Sequence, residues 1–431
     1  MNIKNFDPFD FKKKEINSVP VYYKNIPTAS IINVRICINA GAFCDKKGKE
    51  GTAHFLEHLI FAGCPLFKDK KSIIEFRKKN TLNSLNAFTG FYNTCWTFAT
   101  LPEKYKETLN GVKDMIFNSY LRKEDLETER KIITQEAWNR FQNEKYLNYI
   151  KELNKNIYRG SIRERFFSSL GWPETISKIS QKDVKDFYNT YYGRENLFII
   201  LTGNIEKVHI DYIKTFLKNV PKGDKAKYSF GNIKAPIKKR FIKLADDIGE
   251  IKEQVEINIS REANAINKNK NIISNLSNRL INDLLHERLR IENSLCYMVN
   301  VNGSKTKDFF SVNLNVKTEK DKIDLLESEI RKTLKEIIDG YHKERFENIK
   351  NIYLEQVESM EILSSNLATQ VVSEITNLGK IENIKELLKS IKKATHKDII
   401  DFIKCVFDEK YLFTEIILPS KKNEKQNAKK D

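Results

Sequence analysis

The alternation of hydrophobic and polar positions in the first half of the chain predicts several strands and helices. SIINVRICINAGAF (residues 30–43) alternates apolar residues with others, which is typical of a strand. LNAFTGFYNTCWTFATLP (85–102) predicts two short strands around a turn at Gly90. NLFIILTG (196–203) is almost continuously apolar and predicts a buried strand. Helices are expected between about Glu103 and Phe187.

Residues 221–240 have the composition of a linker, with Pro221, Gly223, Gly231 and Pro236 in one stretch. After it the order restarts with a strand near 255–259, a long helix, further strands and more helices. We therefore predict an N-terminal domain over residues 1–220 and a C-terminal domain over 241–420. The charged tail, 421–431, is expected to be disordered.

A match between the two halves indicates an internal repeat. KDVKDFYNTYYGRENLF begins at Lys182 and KDIIDFIKCVFDEKYLF begins at Lys397, an offset of 215 residues, about half the chain. At that constant offset the two segments share an initial Lys–Asp pair, a later Asp–Phe pair and a final Leu–Phe pair. Two similar α+β halves explain the match. The alternative is chance similarity in a chain rich in Lys and Phe.

The composition is basic, with 75 Lys and Arg against 58 Asp and Glu and a formal net charge of +17. Such a balance raises the possibility of nucleic-acid binding. Lysine is, however, spread along the whole chain beside many Asn and Ile residues, without a concentrated basic helix. We therefore predict no nucleic-acid partner.

The N-terminal segment is charged, and no apolar run reaches the roughly 18 residues that a membrane span needs. We expect a protein without membrane contact that is located in the cytoplasm. The six cysteines form no C-x-x-C pair and are expected to be reduced, buried and without function.

The chemistry is indicated by EGTAHFLEHLIFAG (residues 50–63), a largely apolar segment that holds two histidines with a glutamate between them. His54, Glu57 and His58 stand at positions i, i+3 and i+4, which share one face of a helix. Burying them unpaired would cost several kcal/mol. Two imidazoles at this spacing can bind one metal ion, and the order H-x-x-E-H is the inverzincin motif. The carboxylate between them is free to act as a base towards water activated by the metal.

A catalytic zinc ion has three protein ligands and one open position, so a third ligand is expected from another helix. ETERKIITQEAWNRF (residues 127–141) offers Glu129 and Glu136, seven residues apart and hence on one face. Ile132 and Ile133 lie between them. A single glutamate on a helix is normally a solvated surface residue, so spacing alone does not identify a metal ligand here.

The sequence resembles the M16 metallopeptidases, the family of insulin-degrading enzyme, pitrilysin and mitochondrial processing peptidase. GTAHFLEHLIFAG is similar to the helix that carries the family's H-x-x-E-H motif, and the later glutamates fit its pattern. The resemblance implies that His54, His58 and Glu136 bind one Zn²⁺ per chain and that Glu57 is the general base. It also implies that Glu129, which lies on the same helix as Glu136, supports one of the metal ligands.

Three further segments extend the resemblance over nearly the whole chain. NAF, residues Asn86, Ala87 and Phe88, is similar to the edge strand along which peptide substrates lie. SLGWPETISKISQKDVKDFYNTYYGRENLFIILTGNI resembles the end of the family's first domain. LHERLRIENSLCYMV resembles a region with Arg and Tyr seven residues apart, which implies that Arg290 and Tyr297 help to hold the substrate carbonyl.

The family fold that the resemblance implies is α+β, with two similar halves that each contain an antiparallel-rich sheet with helices on one face. The implied activity is zinc-dependent hydrolysis of extended or unfolded peptides inside a chamber formed by two chains, in a homodimer or a heterodimer. A non-catalytic assembly subunit with a structural zinc site is the main alternative, and a basic nucleic-acid binder is the third.

Overall fold

We describe the fold from a computed structural model, which describes residues 7–265, 271–359 and 364–421. The first half contains a six-stranded sheet in the order β1-β2-β6-β3-β5-β4. Its strands are β1 (Lys12–Ile16), β2 (Val19–Asn25), β3 (Ile32–Ile38), β4 (Asn83–Thr89), β5 (Thr94–Thr100) and β6 (Leu197–Gly203). Every residue of β3 and β6 is buried, as expected for central strands that are covered on both faces.

The helices of this half connect its strands, and all but one of them pack on one face of the sheet. They are α1 (Thr52–Ile60), α2 (Lys70–Asn80), α3 (Tyr105–Phe117), α4 (Lys123–Phe141), α5 (Glu144–Ile157), α6 (Pro173–Ile176), α7 (Gln181–Tyr191) and α8 (Lys207–Phe216). The strands and helices predicted for this half are therefore confirmed, including the turn at Gly90 between β4 and β5.

The second half contains a five-stranded sheet in the order β7-β11-β8-β10-β9. Its strands are β7 (Arg240–Leu244), β8 (Val255–Asn264), β9 (Met298–Lys305), β10 (Phe309–Thr318) and β11 (Phe413–Leu418). Its helices are α9 (Asn271–Leu285), α10 (Ile323–Ile338), α11 (Lys343–Glu358), α12 (Ser364–Leu378), α13 (Ile384–Lys393) and α14 (His396–Val406).

Apart from the additional edge strand β1, the two sheets have the same topology. The pair β2/β6 is parallel and the following pairs β6/β3, β3/β5 and β5/β4 are antiparallel. The pairs β7/β11, β11/β8, β8/β10 and β10/β9 repeat that sequence of directions. The capping boxes repeat too: Ser180 with Asp183 begins α7, and Thr395 with Asp398 begins α14, at the offset of 215 found in the sequence. The predicted α+β fold with two similar halves is confirmed.

Each sheet is covered on its second face by a helix from the other half. The first sheet presents Phe198 and Ile200 to Leu367 and Val371 of α12. Likewise, Tyr149 and its neighbours on α5 of the first half pack on Phe241 and Phe413 of the second sheet. The prediction of helices on one face thus holds within each half, and the exchange of α5 and α12 buries the other face.

The cysteine prediction is wrong for one pair. Cys37 on β3 and Cys95 on β5 are directly opposed in the strand register and form a disulfide. Two cysteines 58 residues apart in sequence carry no sign of pairing until the register of the two strands is known. The remaining four cysteines are free, and two of them, Cys64 and Cys296, are buried.

The segment between α8 and β7 contains no further helix or multi-residue strand in the described structure, in keeping with a connecting segment. Its aromatic residues Tyr228 and Phe230 nevertheless pack with Phe43 and Phe309, so the segment is fixed against both halves. The domain boundaries stay a prediction. Residues 422–431 of the predicted disordered tail lie outside the described residues. None of the described helices has the length and apolar composition needed to cross a membrane.

Gly51 fixes the start of α1, and its replacement by alanine is expected to destabilise the protein by about 3 kcal/mol or more. Gly51 has a φ of +103°, and an added Cβ would lie 2.5 Å from the carbonyl oxygen of Leu170. Gly48 is the matched control because its φ is +81° but no atom lies within 4 Å of an added Cβ. Gly48→Ala should therefore cost only about 1 kcal/mol. Urea unfolding measures both changes, and equal losses would show that the contact with Leu170 is unimportant.

Candidate metal centre and catalytic site

Helix α1 presents the three polar residues of the motif on one side. Phe55 and Leu56 are fully buried in the core of the first half and fix the opposite side of the helix. The buried carboxylate of Asp45 caps the helix by accepting hydrogen bonds from the backbone N–H groups of Gly51 (2.7 Å) and Ala53 (2.9 Å). The apolar side and this cap set the rotation of α1, and so the direction of its polar face.

The predicted ligands His54, His58 and Glu136 lie together. Oε2 of Glu136 on α4 is 3.9 Å from Nε2 of His54 and 3.7 Å from Nε2 of His58. One ligand atom from each of the three residues lies within 4.8 Å of the others. Zinc bonds of about 2.0–2.1 Å place two ligands of a tetrahedral ion roughly 3.4 Å apart. The residues therefore fit a zinc ion after small side-chain movements.

Glu129 contacts one of these predicted ligands. Its Oε2 lies 3.0 Å from Nδ1 of His58, which leaves Nε2 of that ring directed towards Glu136. Its Oε1 accepts a hydrogen bond from Nζ of Lys70 at 2.9 Å. Burial acts to raise the pKa of Glu129, but the hydrogen bonds from His58 and Lys70 outweigh it and lower that pKa. A charged carboxylate at Nδ1 fixes the tautomer in which Nε2 is free to bind metal.

His54 is held as a neutral ring. Burial, followed by the influence of His58, lowers the pKa of His54 to about 3. Its Nδ1 is buried and has no hydrogen-bond partner in the described structure. The side chains of His54 and His58 are 12% and 23% exposed, whereas that of Glu136 is 50% exposed. The group of predicted ligands is thus most exposed to solvent at Glu136.

Glu57 lies on the same face of α1 as the two histidines. It is not part of the group that His54, His58 and Glu136 form. It is buried, and its Oε2 accepts a hydrogen bond of 2.5 Å from Oγ1 of Thr89. Burial raises the pKa of Glu57, while Thr89 and His58 act in the opposite direction. A carboxylate with a raised pKa beside a metal site is suited to accept and return a proton.

Strand β4 borders the site and is an edge strand of the first sheet. It pairs with β5 on one side only. Asn86 and Phe88 are exposed and Ala87 is partly buried. The predicted substrate-binding residues therefore lie on an edge strand whose last residue, Thr89, contacts Glu57.

Arg290 and Tyr297 lie together but apart from this group. Arg290 belongs to a π-helical turn (His286–Glu292), and its guanidinium is 5.1 Å from the centre of the Tyr297 ring. Both side chains are exposed, and Tyr297 is 73% exposed. Among the described residues, no hydrogen bond, ion pair or ring contact joins either of them to Glu57 or to the predicted ligands.

Sequence reasoning missed three residues that shape the site: Asp45, Lys70 and Thr89. Thr89 stands directly after the NAF segment, so its position beside the substrate strand was visible in the sequence. Asp45 and Lys70 are an ordinary loop aspartate and helix lysine, and only their contacts in the fold distinguish them.

Replacing Glu129 with leucine should weaken zinc binding about 10- to 100-fold, because His58 loses the acceptor that fixes its tautomer. Leucine is similar in size to glutamate and suits a side chain that is only 4% exposed, and Lys70, which is 54% exposed, can turn to solvent. Isothermal titration with zinc measures the change. Glu124→Leu, at an exposed position of the same helix, is the control and should bind zinc as the unchanged protein does. Unchanged zinc affinity in Glu129→Leu would exclude the orienting role.

Comparison with known proteins places both halves in one family. Residues 20–166 match the family model described as Insulinase (Peptidase family M16), and residues 178–353 match Peptidase M16 inactive domain. The name of the second model agrees with the second half of this chain, which has no H-x-x-E-H motif.

Related sequences match either most of the chain or a part of it. An uncharacterized zinc protease of Rickettsia bellii is 22% identical over 399 residues, which cover 91% of this chain and 93% of that protein. The beta subunit of the mitochondrial-processing peptidase of Caenorhabditis elegans is 27% identical over 176 residues, 41% of this chain and 37% of the subunit.

Solved structures show the same fold. The first half of the periplasmic protease PqqL from Escherichia coli superimposes with a TM-score of 0.81 at 16% identity, over 96% of this chain and 93% of that one. A protease from Helicobacter pylori gives 0.78 at 15% identity, over 95% and 100%. The resemblance predicted from the motif is confirmed by the family models in both halves, the related zinc proteases and the shared fold: the chain belongs to the zinc protease family M16.

Proposed function

We propose that this protein is a zinc-dependent endopeptidase that hydrolyses extended or unfolded peptides, with Glu57 as its general base. The observation that carries the proposal is the convergence of His54, His58 and Glu136 on one point, with Glu57 on the same face of α1. One zinc ion per chain fits this ligand set. When bound there, zinc supplies a Lewis acid that polarises a carbonyl group and activates water.

The chain's own residues then handle the proton and the peptide. Glu57 takes a proton from the attacking water and returns it to the leaving nitrogen as the peptide bond breaks. The Glu129 carboxylate keeps His58 in the ligating tautomer. Burial of His54 keeps that ring neutral and able to bind metal.

The substrate is proposed to add as a strand to the free edge of β4. An edge strand offers unpaired backbone N–H and C=O groups, so recognition depends on an extended peptide backbone more than on particular side chains. Exposed Asn86 and Phe88 border this edge. Short or unfolded peptides are therefore the expected substrates, and stably folded domains are not.

The test combines metal analysis with digestion of a peptide library. The purified protein should contain about one zinc ion per chain, lose activity in chelator and recover it when zinc is restored. A non-catalytic subunit would bind zinc and leave the library uncut. A nucleic-acid binder would bind DNA or RNA in a salt-sensitive way, whether or not zinc is present. Either of these results would replace the proposed function.

We further propose that two chains, either identical or related, enclose the substrate and that Tyr297 of one chain acts at the zinc site of the other. This proposal is supported by the lack of any contact between Tyr297 and the zinc ligands among the described residues of one chain. The high exposure of Tyr297 leaves it accessible to a second chain.

Mixing two inactive variants should restore activity if the site is shared in a homodimer. Glu57→Gln and Tyr297→Phe are each expected to be nearly inactive. In a mixed dimer one site carries both defects and the other carries neither, so up to about half of the activity should return. Peptide hydrolysis measures the recovery, with subunit exchange verified by differently tagged chains. No recovery would show that Tyr297 does not serve a second copy's zinc site.

A further inference from the structure

Thr89 is the hydrogen-bond partner of the proposed base. Its Oγ1 lies 2.5 Å from Oε2 of Glu57, and among the described residues no other group hydrogen bonds to that carboxylate. Glu57 is only 8% exposed, so water has little access to replace this bond. Within the described part of the chain, the second oxygen, Oε1, has no hydrogen-bond partner.

The direction of the hydrogen bond follows from the chemistry of the groups. A hydroxyl has one proton to donate, and an ionised carboxylate can only accept. The proton of Thr89 therefore points to Glu57, and Thr94, whose Oγ1 is 3.3 Å from that of Thr89, must be the donor in any hydrogen bond between the two hydroxyls. Thr94 also lies 3.3 Å from the carbonyl oxygen of Ala40, so its proton has a second acceptor.

The backbone holds Thr89 firmly. It is the last residue of β4 and is paired with Thr94 across the sheet. Its carbonyl oxygen accepts a hydrogen bond of 2.5 Å from Oγ of Ser169, and the carbonyl of the next residue, Gly90, accepts one of 3.0 Å from the N–H of Ala42. A hydroxyl on so constrained a backbone can fix the group that it contacts.

We propose that Thr89 is a positioning residue for Glu57: it holds Oε2 so that Oε1 is the oxygen that takes the proton from water. This inference rests on the proposed function and adds a link between two parts of the site. Thr89 belongs to the strand on which the substrate is proposed to align, so the position of the base is tied to the position of the peptide. General bases act only when they are held within hydrogen-bond reach of the proton that they accept.

The test compares a substitution of Thr89 that removes the hydroxyl with one that keeps it. Thr89→Val keeps the branched shape and should lower kcat about 10- to 100-fold while KM changes less than about threefold, because the defect lies in the chemical step. Thr89→Ser restores the hydroxyl and should return kcat to within about threefold of the unchanged protein. Thr94→Val is the matched control on the opposite strand and should stay near full activity. Zinc content should be the same in all of them.

A second measurement does not depend on turnover. Binding of a fluorescent peptide to Glu57→Gln should be unaffected when Thr89→Val is added, because the hydroxyl acts on the base and not on the peptide. Should Thr89→Val fail to fold, Thr89→Ala gives the same comparison with serine.

Several outcomes would overturn the positioning role: a raised KM with unchanged kcat, serine no better than valine, Thr94→Val as defective as Thr89→Val, or weakened peptide binding. Failure of the proposed function is distinct from all of these, since the unchanged zinc-loaded protein would then leave peptides uncut.

Discussion

Glu57→Gln is expected to lower peptide hydrolysis about 100- to 10,000-fold while zinc stays bound at the stoichiometry of the unchanged protein. Glutamine keeps the size of the side chain and can still accept the hydrogen bond from Thr89, but its amide cannot take a proton from water. The proposed ligands His54, His58 and Glu136 are unchanged in this variant. Initial rates on a fluorogenic peptide and elemental analysis of the same sample measure the two quantities.

Glu75→Gln is the matched control for this change, because Glu75 is an exposed residue of α2. It should keep both activity and zinc. Loss of zinc together with activity in Glu57→Gln would mean that Glu57 is a ligand and not the base. Retention of activity would remove Glu57 from the mechanism altogether.

Glu136→Gln should have the opposite profile and weaken zinc binding at least about 100-fold, because it replaces the one anionic ligand with a neutral amide. Its Oε2 lies 3.9 Å from Nε2 of His54 and 3.7 Å from Nε2 of His58. Activity should fall at limiting zinc and recover in part when zinc is added. Competition with a chromogenic chelator measures the affinity.

Glu124→Gln serves as the control for that experiment, since Glu124 is an exposed glutamate in the first turn of the same helix. It should bind zinc like the unchanged protein. If Glu136→Gln also retains full affinity, the third ligand is another residue, and Glu129, which lies on the same helix beside His58, is the first to examine.

The sequence by itself determined the local parts of the site. His54, Glu57 and His58 share one face because residues three and four apart do so in any α-helix, and the apolar residues between them require that helix to be packed. The repeat was readable as well, because α7 with β6 and α14 with β11 keep the same caps and apolar positions at a constant offset. Both features depend on contacts between near neighbours, which sequence spacing describes directly.

Only the tertiary structure decided how distant elements meet. Glu129 and Glu136 lie seven residues apart on one helix, and the packing of α4 across α1 assigns the first to Nδ1 of His58 and the second to the ligand group. The exchange of α5 and α12 between the sheets was equally hidden, because an amphipathic pattern shows that a face is buried but not what buries it. The same holds for Cys37 and Cys95, which are joined by the register of β3 against β5. Such pairings are fixed by contacts between residues far apart in the chain, and spacing along a single sequence carries no information about them.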